Sequence, residues 1–172
     1  MIYPLFVPPK QLFRSRMTWT KKEAESYRDW IVESSVHRIW YLLDFLEEPE
    51  IQEAGKHLLV LGNKTAYLLN EIFSIEGKNG KELTPQGYAI AADLGLVVAH
   101  YLIRDSHQIQ WAVLRGSKLQ HSYNLPVLNG FLFGFLDPIG GSVAEAYGVL
   151  RKERDYDAWE RMYTFWSNRI PC

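Results

Sequence analysis

Between Tyr88 and Arg104 the chain is apolar almost throughout, and the polar residues Asp93, His100 and Arg104 fall along a single stripe of the helix that this stretch predicts. Thr84-Pro85 supplies an N-cap followed by proline at the first helical position, so the helix is expected to start there and run to about Arg104. Tyr88, Ala91, Ala92, Gly95, Ala99, Leu102 and Ile103 form one seam whose small residues allow another helix to approach closely. Ile90, Leu94, Val97, Val98 and Tyr101 make the opposite side apolar as well, which places the helix at the centre of the fold. A carboxylate inside such a segment needs a partner. Asp93 is expected to accept from backbone amides, a hydroxyl or an arginine of another segment, with a catalytic or ligand-binding role as the competing expectation. His100 lies seven residues further on. At about 1.5 Å rise per residue it is roughly 10 Å away, too far to pair directly with Asp93.

A chain of 172 residues predicts a single domain, 1–172, and local signals place the other elements around the central helix. Residues 1–19 hold Pro4, Pro8 and Pro9 among apolar side chains and predict an extended arm packed on the domain. Thr20-Lys-Lys-Glu23 is a capping box that opens a long helix, whose run Ile39-Trp-Tyr-Leu-Leu43 predicts a second half buried all round. Residues 50–75 predict two helical pieces split or bent near Gly62-Asn63, and Glu76 to Glu82 a loop. Residues 109–114 and 125–134 predict two strands, Asp137-Pro138 opens a helix through Leu150, and Asp155 is expected to cap a last helix. The fold class is therefore mostly α (α+β): five or six helices around a central helix 84–104, with one two-stranded antiparallel β-element near 109–134.

The chemistry-bearing residues do not assemble into a catalytic or metal motif. Glu53 with His57, and Asp105 with His107, are two-residue acidic-histidine pairs without a third ligand at motif spacing, so no metal or cofactor is expected. Ser122 and Ser142 lack a nucleophile elbow, and Gly140-Gly141-Ser142 after Asp137 matches no phosphate-loop pattern. The single cysteine, Cys172, excludes an intrachain disulfide. A net charge of −1 gives no footprint for nucleic acid or an anionic membrane. The first ten residues do not read as a signal peptide, and Asp93, Asp44 or glycines interrupt the longest apolar runs, so a cytoplasmic protein is expected. Aromatic residues are plentiful, with 6 Trp, 10 Tyr and 8 Phe, and Trp159, Tyr163 and Trp166 form a helical stripe that is either core or a candidate partner surface.

Tyr88-x-Ile-x-x-Asp93-x-Gly95, then Trp111, then Asn124-x-Pro126-Val-Leu-x-Gly130-Phe131 and Asp137-Pro-Ile139 resemble an uncharacterised family of small bacterial proteins over about a third of the chain. Asp137 stands where that pattern has asparagine, which leaves the helix-cap role intact. The resemblance implies a small cytosolic domain of the kind found as immunity or accessory proteins beside polymorphic toxin genes. The leading expectation is a non-enzymatic protein-binding module that neutralises a toxin. A small enzyme or ligand-binding domain is the second expectation, with a pocket near Asp93, His100 and the hairpin residues Trp111, Tyr123 and Asn124. A homo-oligomeric structural protein is the third.

Overall fold

Three helix starts sit where short-range side-chain chemistry places them in the computed structural model, which describes residues 2–78 and 80–171. Helix α1, Lys21–Phe45, begins at the Thr20 capping box, with Thr20 Oγ1 accepting from Glu23 N and Glu23 returning to Thr20 N. Helix α2 spans Ala54–Glu71. Helix α3, Pro85–Asp105, is capped by Thr84, whose hydroxyl accepts from Gly87 N. Helix α4, Pro138–Leu150, is capped by Asp137 in the same way, through Gly140 N. Helix α5 covers Ala158–Ser167. Its N-cap is Asp157 rather than Asp155, which instead offers its backbone carbonyl to Ala158 N.

α3 is the central helix, packing against α1, α2, α4 and α5. Residues 89–99 are buried without interruption. Its length and mean hydropathy of 1.2 would allow it to cross a membrane, and 78% of that apolar window is buried in the fold. The small-residue seam does what close packing requires. A Cβ on Gly95 would lie 2.2 Å from the Pro138 carbonyl oxygen, so α4 approaches α3 at backbone distance.

Three local expectations are corrected. α2 is one continuous helix, because Gly62 serves close approach and not termination: a Cβ there would sit 2.1 Å from the Tyr156 carbonyl oxygen. The expected loop at 76–82 is a hairpin of β1, Ser74–Gly77, and β2, Gly80–Leu83, paired antiparallel with Ser74 opposite Leu83. Gly80 takes φ +106, and Asn79 of the loop expectation lies outside the described residues, as does Cys172. The fold thus has two small sheets among the described residues. The second pairs β3, Gln110–Val113, with β4, Pro126–Asn129, antiparallel, setting Trp111 opposite Leu128. β4 ends before the expected residue 134, and Leu128 makes a further bridge to Leu136.

The arm is likewise not wholly extended. It makes two single-turn 3-10 helices, Lys10–Leu12 and Arg16–Thr18. Tyr3 enters the main core, while Leu12 and Trp19 pack with Ala24, Tyr27 and Val113 in a smaller cluster at the start of α1.

The second half of α1 is also only partly buried. Ile39, Leu42 and Leu43 face the core, whereas Trp40 is 61% exposed. α1 lies at the surface with neighbours on one side, so its all-round apolar run exceeds what that side can cover.

Candidate functional site

Asp93 is fully buried and holds three elements together. Arg38 of α1 donates Nε to Asp93 Oδ1 at 2.5 Å and Nη2 to Oδ2 at 2.8 Å, and the Tyr3 hydroxyl donates to Oδ2 at 2.6 Å. The same guanidinium reaches the Leu5 and Pro4 carbonyl oxygens at 3.2 and 3.3 Å and stacks over the Phe6 ring at 4.7 Å. Burial pushes the Asp93 carboxyl up to about 6 from an ordinary 3.8, against the lowering pull of Arg38 and Tyr3. Both carboxylate oxygens are thus engaged by the chain itself, Oδ1 by one donor and Oδ2 by two.

Asn124 forms the second polar hub. It sits at φ +64 and is completely buried; its Nδ2 donates to the Arg16 and Trp19 carbonyl oxygens at 2.7 and 3.2 Å, and its Oδ1 accepts from Arg115 Nη1 at 2.6 Å. Asp93 fastens the front of the arm and Asn124 its rear. Tyr123 is buried beside Asn124 under the Arg115 guanidinium, and Trp111 is half-buried against the core from β3.

His100 is in a different place from Asp93. Its Nε2 lies 3.0 Å from Glu50 Oε1, at the surface, while Asp93 faces α1 and the arm. The structure therefore does not bring Asp93, His100 and the β3–β4 hairpin into one pocket. Tyr101, one residue on, turns inward, donates to the Ile51 carbonyl oxygen at 3.3 Å and hydrogen-bonds with His57 Nδ1. The other ring nitrogen of His57, the buried Nε2, has no partner among the described residues. Glu53, the neighbour considered for His57, pairs with Lys56 instead. Asp105 accepts from the Tyr163 hydroxyl at 2.5 Å.

The remaining candidates are also committed internally. Ser142 Oγ donates to the Ala91 carbonyl oxygen at 2.5 Å and accepts from Trp159 Nε1 at 2.7 Å. Of the two expectations for the aromatic stripe, Trp159 meets the core one and is no partner surface: it is wholly buried in the α3–α4–α5 junction. Tyr163 and Trp166 of the same stripe are half-buried. The first turn of α4 already carries a carboxylate, since Asp137 accepts from Gly140 N at 2.8 Å and from Ser122 Oγ at 3.1 Å.

One surface stands apart from these closed networks. A groove of about 690 Å³ runs along α1, over the 46–50 turn, to His100. Ile39 and Leu43 form part of its floor, and Val36 and Trp40, 76% and 61% exposed, rise from its wall. Asp44, Glu47, Glu48 and Glu50 line its other end. Glu48 pairs with Lys64 at 2.6 Å, and Glu50 lies near His100 and Arg104, leaving Asp44 and Glu47 without a cationic partner among the described residues. Of the groove residues only His100 was legible as a candidate. A signal was present for Trp40 and Val36, because a surface helix with more apolar residues than one face can bury must present the surplus outward.

No family model, curated protein or solved structure matches the chain.

Proposed function

We propose that this chain is a non-enzymatic protein-binding module, of the immunity type that neutralises a cognate bacterial toxin in the cytoplasm. The observation that carries the reading is a division of labour between interior and surface. Groups suited to chemistry, Asp93, Ser142 and Asp137, are spent on joining elements, whereas large apolar side chains such as Val36 and Trp40 stand in solvent. The partial resemblance over residues 88–139 supports the same reading. The test is co-expression with the product of a toxin gene adjacent to its own: the intact chain restores growth and co-purifies with the toxin. Growth arrest that persists despite abundant folded chain overturns the reading.

A homo-oligomeric role is the second reading, favoured by Leu132, Phe133 and Phe165, which are 57%, 77% and 50% exposed on and around α5. A monomer by size-exclusion chromatography with light scattering removes it.

A further inference from the structure

We infer that the α1 groove is the toxin-docking site of the proposed module, and that its occupant is a cationic amphipathic protein segment. The inference rests on the protein-binding reading and adds the place and the chemistry. Along α1 the groove is segregated. Val36, Ile39, Trp40 and Leu43 give an apolar stretch, and Asp44 and Glu47 continue it as negative charge that has no cationic partner among the described residues. From Val36 to Asp44 the helix advances eight residues, about 12 Å, so apolar anchors and lysine or arginine must be carried in order on one segment. A compact small cation spans only one end. The exposed indole of Trp40 adds a face on which arginine stacks.

A second observation points to the same end of the groove. α1 terminates with Leu46 as its C-cap, and the next residue, Glu47, holds φ +55 while Glu48 N donates to the Leu43 carbonyl oxygen at 2.9 Å. This is the left-handed position that helix ends ordinarily give to glycine or asparagine. A glutamate there strains the backbone, as Lys152 does at the same position after α4, and its side chain is a carboxylate on the groove rim with no cationic partner among the described residues.

The probe is a short peptide with leucine and tryptophan in its first half and lysine in its second, titrated calorimetrically into the intact chain. A glutamate-for-lysine counterpart and tetramethylammonium chloride serve as competitors. The lysine peptide binds, and its Kd rises about tenfold or more for Glu47→Gly and for Trp40→Ser, while Glu47→Gly melts no lower than the wild type. Equal binding of both peptides, unchanged affinity in both variants, or tetramethylammonium binding as tightly as the peptide overturns the proposal. The two levels separate in cells. Toxin protection undiminished in both variants removes the groove and leaves the immunity reading, whereas peptide binding with these dependences and no protection by the wild type removes the immunity reading and leaves the groove.

Discussion

Arg38 and Asp93, 55 residues apart, meet through two parallel charge-assisted hydrogen bonds of 2.5 and 2.8 Å, with the arginine side chain 11% and the aspartate side chain 1% exposed. The unequal exposure makes the pair asymmetric. Loss of Arg38 strands a carboxylate in the deepest part of the fold, whereas an amide in place of Asp93 leaves a guanidinium that still reaches the arm carbonyls. Arg38→Met is expected to cost about 3–5 kcal/mol and Asp93→Asn about 1–2 kcal/mol. The double variant should lose less than the sum, as urea unfolding will measure.

The same carboxyl gives a pH signature. Between pH 3.8 and about 6 the folded chain keeps a proton on Asp93 that the unfolded chain has released. The folded state then holds more protons, so this group's contribution to stability falls as pH rises through that window. Carbon-13 detection of the Asp93 carboxyl should give a midpoint near 6, and the slope should be missing from the unfolding free energy of Asp93→Asn.

His57 works in the opposite direction. Burial lowers its pKa from the ordinary 6.5, and Glu48 and Glu50 only partly offset this. Below pH 6.5 the unfolded chain takes up a proton that the folded imidazole refuses, so stability falls with pH until the depressed folded value is reached. The unfolding free energy of wild type minus that of His57→Gln should fall from pH 7 to pH 5, a difference in which the opposing Asp93 contribution, common to both proteins, cancels.

Two glycines are fixed by contact and a third is not. Gly95→Ala drives a methyl group against the Pro138 carbonyl oxygen and Gly62→Ala against that of Tyr156, at 2.2 and 2.1 Å. Each should cost about 1–3 kcal/mol through displacement of a neighbouring backbone. Gly55→Ala meets nothing nearer than Glu160 Oε1 at 3.8 Å and should be neutral or stabilise by up to about 1 kcal/mol. Thermal melts of the three variants check the contrast.

Trp159 and Ser142 supply a further test of the core. Ser142→Ala removes the acceptor of a buried indole N–H and should cost about 1–3 kcal/mol, read by chemical denaturation.

Local chemistry made the helices legible. Thr20 with Glu23, Thr84 before Pro85 and Asp137 before Pro138 each act within one turn, so their side chains mark boundaries without knowledge of anything distant. The central position of α3 was legible because an all-round apolar helix has few other places to go. Gly62 misled because a glycine kept for close approach carries the same one-letter signal as one that ends a helix. The β1–β2 hairpin was hidden by its short, charged strands, although the Asn-Gly dipeptide at 79–80 of the sequence is a turn signal. The partners of Asp93 lie 55 and 90 positions away, and no short-range pattern distinguishes Arg38 or Tyr3 from other surface arginines and tyrosines. Trp40 was read as core because composition tells how much apolar surface a helix has and not which side its neighbours occupy.

The attachment of Tyr3 to Asp93 also fixes an order of events during synthesis. The arm is made before its anchor, and Asp93 is translated 90 residues after Tyr3, behind α1, α2 and the first hairpin. At ordinary elongation speeds of about 5–20 residues per second the nascent arm waits seconds with its apolar side chains undocked. Until α3 emerges Arg38 lacks its carboxylate, so the front of the arm is seated only after α3 has been made, and a ribosome stalled before residue 93 would leave the apolar stretch around Tyr3 undocked.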